Sequence, residues 1–312
     1  MEILKNPHFD FLGPARYFVA FSVLLVLGGT AWMATRGISY GVEFSGGTQL
    51  IAQFREIPEV DKVRDAVATV TPGATIQAYG EPADHKVLIR AAGEVGAEAE
   101  LDAVARRVID ALGKLYPANP VTESSSEIVG PIVGAELRRK AIILTVLGLL
   151  FQLVYIAVRF KGGIWGVAAS VAALHDLVFC LTFLTLFAYE ITLNVIAALL
   201  TLVGYSVNDT IVIFDRVREN LRQRRKEPIA KIINDSVNQT LTRTLISNGT
   251  TFLAVLGLYI FGGEVLRGFG FTMVVGVLVG TYSTIYIAAP LVVWWSGRSR
   301  KGGEAAPAKA AL

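Results

Sequence analysis

A single cysteine, Cys180, leaves no internal partner for a disulfide, and its place inside an apolar run makes it a small packing residue. The three histidines, His8, His85 and His175, share no metal-ligand spacing, so neither metal nor redox chemistry is indicated. No Walker loop or other nucleotide motif is present, and no cofactor is expected. Charge is scarce as well. Asp, Glu, Lys and Arg make up 18% of the 312 residues, below the roughly one quarter usual in soluble domains. Apolar residues take their place: 53% of the chain is hydrophobic and the mean hydropathy is +0.52, the composition of an integral membrane protein.

Six stretches are long and apolar enough to cross a bilayer, at residues 17–35, 141–158, 164–188, 191–214, 244–261 and 269–295. The first is longer than the apolar region of a secretory signal and Ala31-Trp32-Met33 is a poor cleavage site, so it reads as an uncleaved span. Ahead of it, residues 1–14 set Phe9, Phe11 and Leu12 beside Lys5 and Asp10, as in a segment lying along a membrane surface. Residues 37–137 differ in kind. Pro, Gly and charges are interleaved there, and fifteen acids stand against eight bases. An acidic, water-exposed domain thus hangs on a basic membrane part, dividing the chain into 1–36, 37–137, 138–297 and a tail at 298–312.

Within the acidic domain, residues 48–54 alternate like a strand, 74–80 and 86–91 read as strands, and a last strand near 121–129 completes the series. Helical spacing covers 58–70 and 98–115, where Leu101, Val104, Val108 and Leu112 share a face. The order β-α-β-β-α-β is that of a ferredoxin-like split βαβ unit. The expected fold is an α-helical integral membrane protein with six transmembrane helices, plus one α+β ferredoxin-like extracytoplasmic domain between helices one and two. The Arg159-Phe160-Lys161 turn, the basic loop from Arg216 to Lys231 and the tail with Arg298, Arg300 and Lys301 fall on one side, which positive-inside bias assigns to the cytoplasm with both termini. Arg138, Arg139 and Lys140 dissent from the other side. Three Asn-x-Thr matches, at Asn208, Asn238 and Asn248, lie in or beside spans and read as chance.

Asp209 is where chemistry is expected, because a carboxylate deep in an apolar helix must face protein or a water-filled cavity. Thr201, Tyr205, Asn208 and Asp215 form one stripe of that helix, with Asp209 beside it. On the next span Gln239, Arg243, Ser247, Thr250 and Thr251 share a face. Arg243 reads either as an interfacial anchor or as a fixed positive charge that tunes Asp209, since an arginine does not give up its proton. His175 and Asp176 add a second intramembrane pair, with Gln239 and Thr250 as further secondary relay candidates. In the last span Gly276 and Gly280 form a G-x-x-x-G step that admits a close helix neighbour.

Five stretches carry a family resemblance: GVEFSGGT from Gly41, VGPIVGAEL from Val129, His175-Asp176, GYSVNDTIVIFDRVREN from Gly204 and SVNQTLTRT from Ser236. Together they resemble the SecF family, membrane subunits of bacterial protein export related to the resistance-nodulation-division transporters. The resemblance covers nearly the whole chain. It implies a bacterial inner-membrane subunit that works with SecD, using the proton motive force to promote export of unfolded preproteins. The implied partners are SecD and the SecYEG translocon, with YidC and YajC as further candidates, within membrane lipid and without nucleic acid. The family's proton pathway falls here on Asp209 and Arg243, with Asn208 beside them, and ATP hydrolysis would belong to a different subunit. Glu43, Gly46, Gly47 and Thr48 form the outer-domain motif, and Glu43 stands where that motif usually has aspartate. The acidic charge is kept one methylene farther out, which suits a turn or hinge. An independent ion-coupled small-molecule or lipid exporter and a structural scaffold of the translocon are the alternatives.

Overall fold

The structure, a computed structural model, describes residues 7–80, 82–92 and 98–301. Lys5 and residues 302–312 of the tail therefore lie outside the described residues, as do the side chains of Leu101, Arg298, Arg300 and Lys301.

Residues 7–14 form no helix. Instead they run along the N-terminal turns of a later helix, where Asn234 and Asn238 bond the backbone of Phe9 and Phe11 at 2.8–2.9 Å. Helix α1 (Ala15–Arg36) follows, burying only Ala15, Ser22 and Gly29. That seven-residue period of small side chains lets it lie close against a neighbour, and a Cβ on Gly29 would sit 2.2 Å from Thr182 Oγ1.

The acidic domain begins with a single helical turn, α2 (Val42–Ser45), then β1 (Gly47–Phe54), α3 (Val60–Ala68), β2 (Thr75–Tyr79), β3 (Lys86–Ala92), α4 (Glu98–Leu115) and β4 (Val121–Val129). Strands and helices fall at the expected positions. The four strands make one antiparallel sheet in the order β2-β3-β1-β4. Leu50, Ala52, Phe54, Val87 and Ile89 point to one face, where Val63 and Val67 of α3 and Val108 and Leu112 of α4 close the core. Gln49, Arg90 and Glu127 stand in one row across β3, β1 and β4 on the other face. That face turns toward the membrane part.

Helices α5 (Pro131–Arg159), α6 (Gly163–Leu186), α7 (Leu193–Gln223) and α8 (Ile229–Phe261) then alternate in direction. The last span is α9 (Gly263–Ser283), a π-helical turn at Thr284–Ala288 and α10 (Ala289–Lys301). With α1, six spans have the length and apolarity to cross a membrane. Helix α5 begins at Pro131 and α8 at Ile229, well before the apolar runs expected at 141 and 244, because polar turns extend both helices beyond the apolar stretch.

Side chains of α6, α7 and α9 form the interior, while α1, α5 and α8 are buried along only small parts of their spans. Gly276 and Gly280 of α9 do pack as a step. A Cβ on Gly276 would lie 2.5 Å from Leu202, and one on Gly280 3.3 Å from Ser206. Two of the three dissenting bases are locally engaged, Arg138 over the Tyr40 ring and Lys140 with Glu136 at 2.8 Å.

Candidate functional site

Helix α7 buries a continuous stripe from Val195 through Ala198, Leu202, Ser206, Asp209 and Ile213, spaced at three and four residues. Asp209 is 4% exposed and accepts a hydrogen bond from Asn248 Nδ2 of α8. Asn248 is held from two further sides: Tyr205 donates to its Oδ1 at 2.7 Å, and its Nδ2 reaches Thr281 Oγ1 of α9 at 2.6 Å. A carboxylate, an amide, a phenol and a hydroxyl from three helices thus meet in one polar node. One of the three Asn-x-Thr matches is its hub. The sequence clue to it was the one amide within the apolar run at 244–261, the kind of residue that bonds across helices in lipid.

Asp176 occupies a second node. It is 1% exposed, with His175 Nδ1 3.0 Å from its Oδ1 and Ser206 and Ser283 donating to its Oδ2 at 2.6 and 2.8 Å. Adjacent residues on a helix normally diverge, yet here the His175 ring folds back over its neighbour and lies against Tyr282. Thr210 and Thr284 bridge α7 to the π-helical turn at 3.0 Å. Ser206 and Ser283 escaped the sequence reading because serine is common in membrane helices and carries no charge.

The remaining relay candidates lie on the outside of the bundle. Asn208, Arg243 and Thr250 are exposed, and Arg243 forms no ion pair among the described residues, though its charge acts on Asp209. Thr250 donates back to Ser247 O at 2.8 Å. Gln239 belongs to a separate cluster near the end of α7, accepting from Arg216 at 2.6 Å and Asn220 at 2.9 Å. Thr201, Asn208, Asp215, Arg243 and Thr250 give α7 and α8 a polar face that stays exposed among the described residues.

The outer-domain motif joins sheet to membrane. Gly46 (φ 73°, ψ 155°) and Gly47 (φ 130°) hold backbone conformations open to glycine and to few other residues, which turn the chain from α2 into β1. Gly134 at the start of α5 packs against this turn; a Cβ there would lie 3.0 Å from Gly46 N. Phe44 is 3% exposed and packs in one cluster with Leu177, Cys180, Leu184, Val195 and Ala198 of α6 and α7. Thr48 is buried, while Glu43 is half-buried and faces a cleft of about 370 Å³ shared with Gln49, Tyr79, Arg90, Glu190 and Arg267. Across that cleft Arg90 forms an ion pair with Glu190 of the α6–α7 turn. Burial, with the hydrogen bond to Tyr259, pushes the nearby Tyr189 phenol up to about 12 and keeps it neutral.

Comparisons with known proteins agree with this anatomy. Residues 110–298 match the family described as "Protein export membrane protein SecD/SecF, C-terminal", and residues 31–56, which hold Gly46 and Gly47, match "SecD/SecF GG Motif". The chain is 39% identical to the protein translocase subunit SecF of Gemmatimonas aurantiaca over 99% of its own length and 94% of that relative. It is 37% identical to the protein translocase subunit SecDF of Thermus thermophilus, over 98% of this chain but 41% of that longer protein. The crystal structure of SecDF from Thermus, described as a translocon-associated membrane protein, matches with a TM-score of 0.81 and 36% identity across 94% of this chain and 39% of that one. With six membrane-spanning helices, the glycine-pair turn and near-full-length relatives of this kind, the chain belongs to the SecD/SecF family of protein-export membrane proteins.

Proposed function

We propose that this chain is the SecF-type subunit of a bacterial protein translocase and that it acts in transport, not in catalysis. It pairs with a SecD-type half and uses proton flow along Asp209 to drive movements that promote preprotein export. One observation carries the reading: Asp209 sits just behind a polar lip, Asn208 and Arg243, that its own bundle leaves open. Polar side chains within a span are costly against lipid, so this lip calls for a second bundle. The fused Thermus relative, of which this chain spans 41%, has the length to supply one. SecYEG, YidC and YajC are proposed partners on the family resemblance alone.

In this reading the sheet domain is a ferredoxin-like module outside the cytoplasm. Its antiparallel order β2-β3-β1-β4, with both helices on one face, supports that assignment. The basic Arg159 turn and the α7–α8 corner lie on the face opposite the sheet domain, which supports both termini being cytoplasmic. The test is Asp209→Asn, which removes a titratable group with little change in shape. Export of a secreted reporter and membrane abundance are measured together. Lost export at normal abundance is expected; full export at normal abundance would reduce Asp209 to a packing residue.

A further inference from the structure

On the face opposite the sheet domain, the end of α5 and the end of α7 enclose a cleft of about 620 Å³ lined by Arg159, Asp215, Arg218, Glu219, Arg222 and Gln223. Its charges do not cancel. Glu219 is taken by Arg216 at 2.6 Å, away from the cleft's bases, and Asp215 reaches only Arg159, at a loose 3.9 Å. Arg222 is exposed and makes no ion pair among the described residues. Arg218 donates from Nη1 to the Arg159 carbonyl at 3.5 Å, and its Nε is sealed from solvent with no hydrogen-bond partner among the described residues. A buried guanidinium N–H without an acceptor is costly, and an anion is the natural complement.

What leads to the cleft indicates the anion's source. The face of α5 running up to Arg159 is apolar and open: Phe151 is 75% exposed, Val154 56% and Val158 72%. Beside Arg159 the half-buried Trp165, a residue type enriched where a helix leaves the hydrocarbon, packs on the buried Phe160 and lies 4.9 Å from the buried Phe214. Acyl chains lying along α5 bring a headgroup phosphate level with Arg159, Arg218 and Arg222. We infer that this cleft is a binding site for the phosphodiester headgroup of an anionic phospholipid, independent of the ion pathway proposed around Asp209.

The test uses the whole chain in nanodiscs or detergent, with native mass spectrometry counting retained lipid. Phosphatidylglycerol should be retained in preference to phosphatidylcholine, and salt should weaken it. Each base near a membrane surface is worth roughly fivefold in affinity for anionic lipid, so Arg218→Gln with Arg222→Gln should lower retention about 30-fold. The pair Arg225→Gln and Lys226→Gln, outside the cleft, should leave it within about twofold. Asp215→Asn removes an opposing charge on an exposed position and should tighten retention, which serves should the double variant fold poorly. Equal retention of the two lipids, equal losses in both double variants, no gain from Asp215→Asn, or full displacement by inorganic phosphate alone would each overturn the assignment.

Discussion

Removing the charge of Glu190 should unlatch the sheet domain from the membrane part. Glu190 lies in the turn between α6 and α7, pinned where Ile191 N donates to Ser39 O and Gly41 N donates to Ile191 O, both at 2.9 Å. Arg90 reaches it from β3 and is steadied from behind, since its Nε donates to Gln49 Oε1 at 3.1 Å and Gln49 in turn reaches Glu127 at 3.5 Å. The row Glu127–Gln49–Arg90–Glu190 is therefore a polar strut from the far strand of the sheet to the membrane bundle. The paired side chains are 20% and 16% exposed. That places them between exposed ion pairs, worth about 0–1 kcal/mol, and fully buried ones, whose breakage costs about 3–5 kcal/mol. A value near 2 kcal/mol follows, a ratio of about 30 in the undocked-to-docked equilibrium.

Backbone pairing at residues 39–41 and the Phe44 anchor survive the substitution, so the motion should be a swing about Gly46 and Gly47, not a release. Spin labels at Asp65→Cys on α3 and Leu186→Cys at the C-terminal end of α6 would report it as a second, longer distance in Glu190→Gln. Arg90→Gln should act alike, and the double variant should be no worse than either single one. The charge swap, Arg90→Glu with Glu190→Arg, should recover part of the docked population. Additive effects, with a coupling under about 0.5 kcal/mol, would refute the latch.

Three further outcomes are expected. Asn248→Ala strips Asp209 of its hydrogen-bond donor and leaves the Tyr205 hydroxyl only its long 3.4 Å contact to Ser247 O, a cost of about 1–3 kcal/mol; export should fall, and normal export at normal abundance would remove Asn248 from the site. Gly46→Ala forces a side chain onto a backbone at φ 73°, ψ 155°, destabilising the turn by about 1–3 kcal/mol, which thermal unfolding in detergent would register. Hydrogen bonds from Arg224, then Lys231, hold the Glu227 carboxyl down at about 2 against an ordinary 4.5. A depressed carboxyl stabilises above its unfolded value and loses that contribution as pH falls, so hydrogen exchange at the α7–α8 corner, corrected for intrinsic rates, should rise between pH 4.5 and 2 in the native chain and not in Glu227→Gln.

Much of this was legible in the residues because membranes make hydropathy decisive. All six spans follow from apolar runs, and β1 follows from alternation, since its sheet buries one face only, whereas the exposed edge strand β4 is polar from Thr122 to Glu127 and carries no such pattern. What escaped is what depends on meeting a distant partner. Asn248 carried a misleading local pattern, and its role appears only when α7, α8 and α9 converge on it. Gln239 shares a helical stripe with Arg243, yet Arg216 and Asn220 draw it to the end of α7. Arg90 and Glu190 are ordinary charges in sequence, a hundred residues apart, and nothing local marks them as a pair. The early start of α8 was hidden because its first turns are polar, with Asn234, Asn238 and Gln239 ahead of the apolar run, although they extend the helix and Asn234 and Asn238 hold the N-terminal segment.

The two intramembrane carboxylates are built for different work. Asp176 has its oxygens approached from α6, α7 and α9 at once, so it ties the interior together and is shut off from the open lip. Asp209 has one donor and lies beside that lip. They share α7: Ser206, one turn before Asp209, is the residue that bonds Asp176. A shift of α7 that follows a change at Asp209 must therefore strain the Asp176 node. Farther along the same buried stripe, Val195 and Ala198 pack in the cluster that seats Phe44, and Leu177, the neighbour of Asp176, does so from α6. Phe44 stands two residues before the Gly46–Gly47 turn that carries the sheet. Rigid helices with discrete packing transmit displacement along their length. In the proposed reading, α6 and α7 carry a charge event at Asp209 to the outer domain, which α5 also supports where Gly134 packs on the Gly46 turn, with the Arg90–Glu190 contact deciding how far the domain swings.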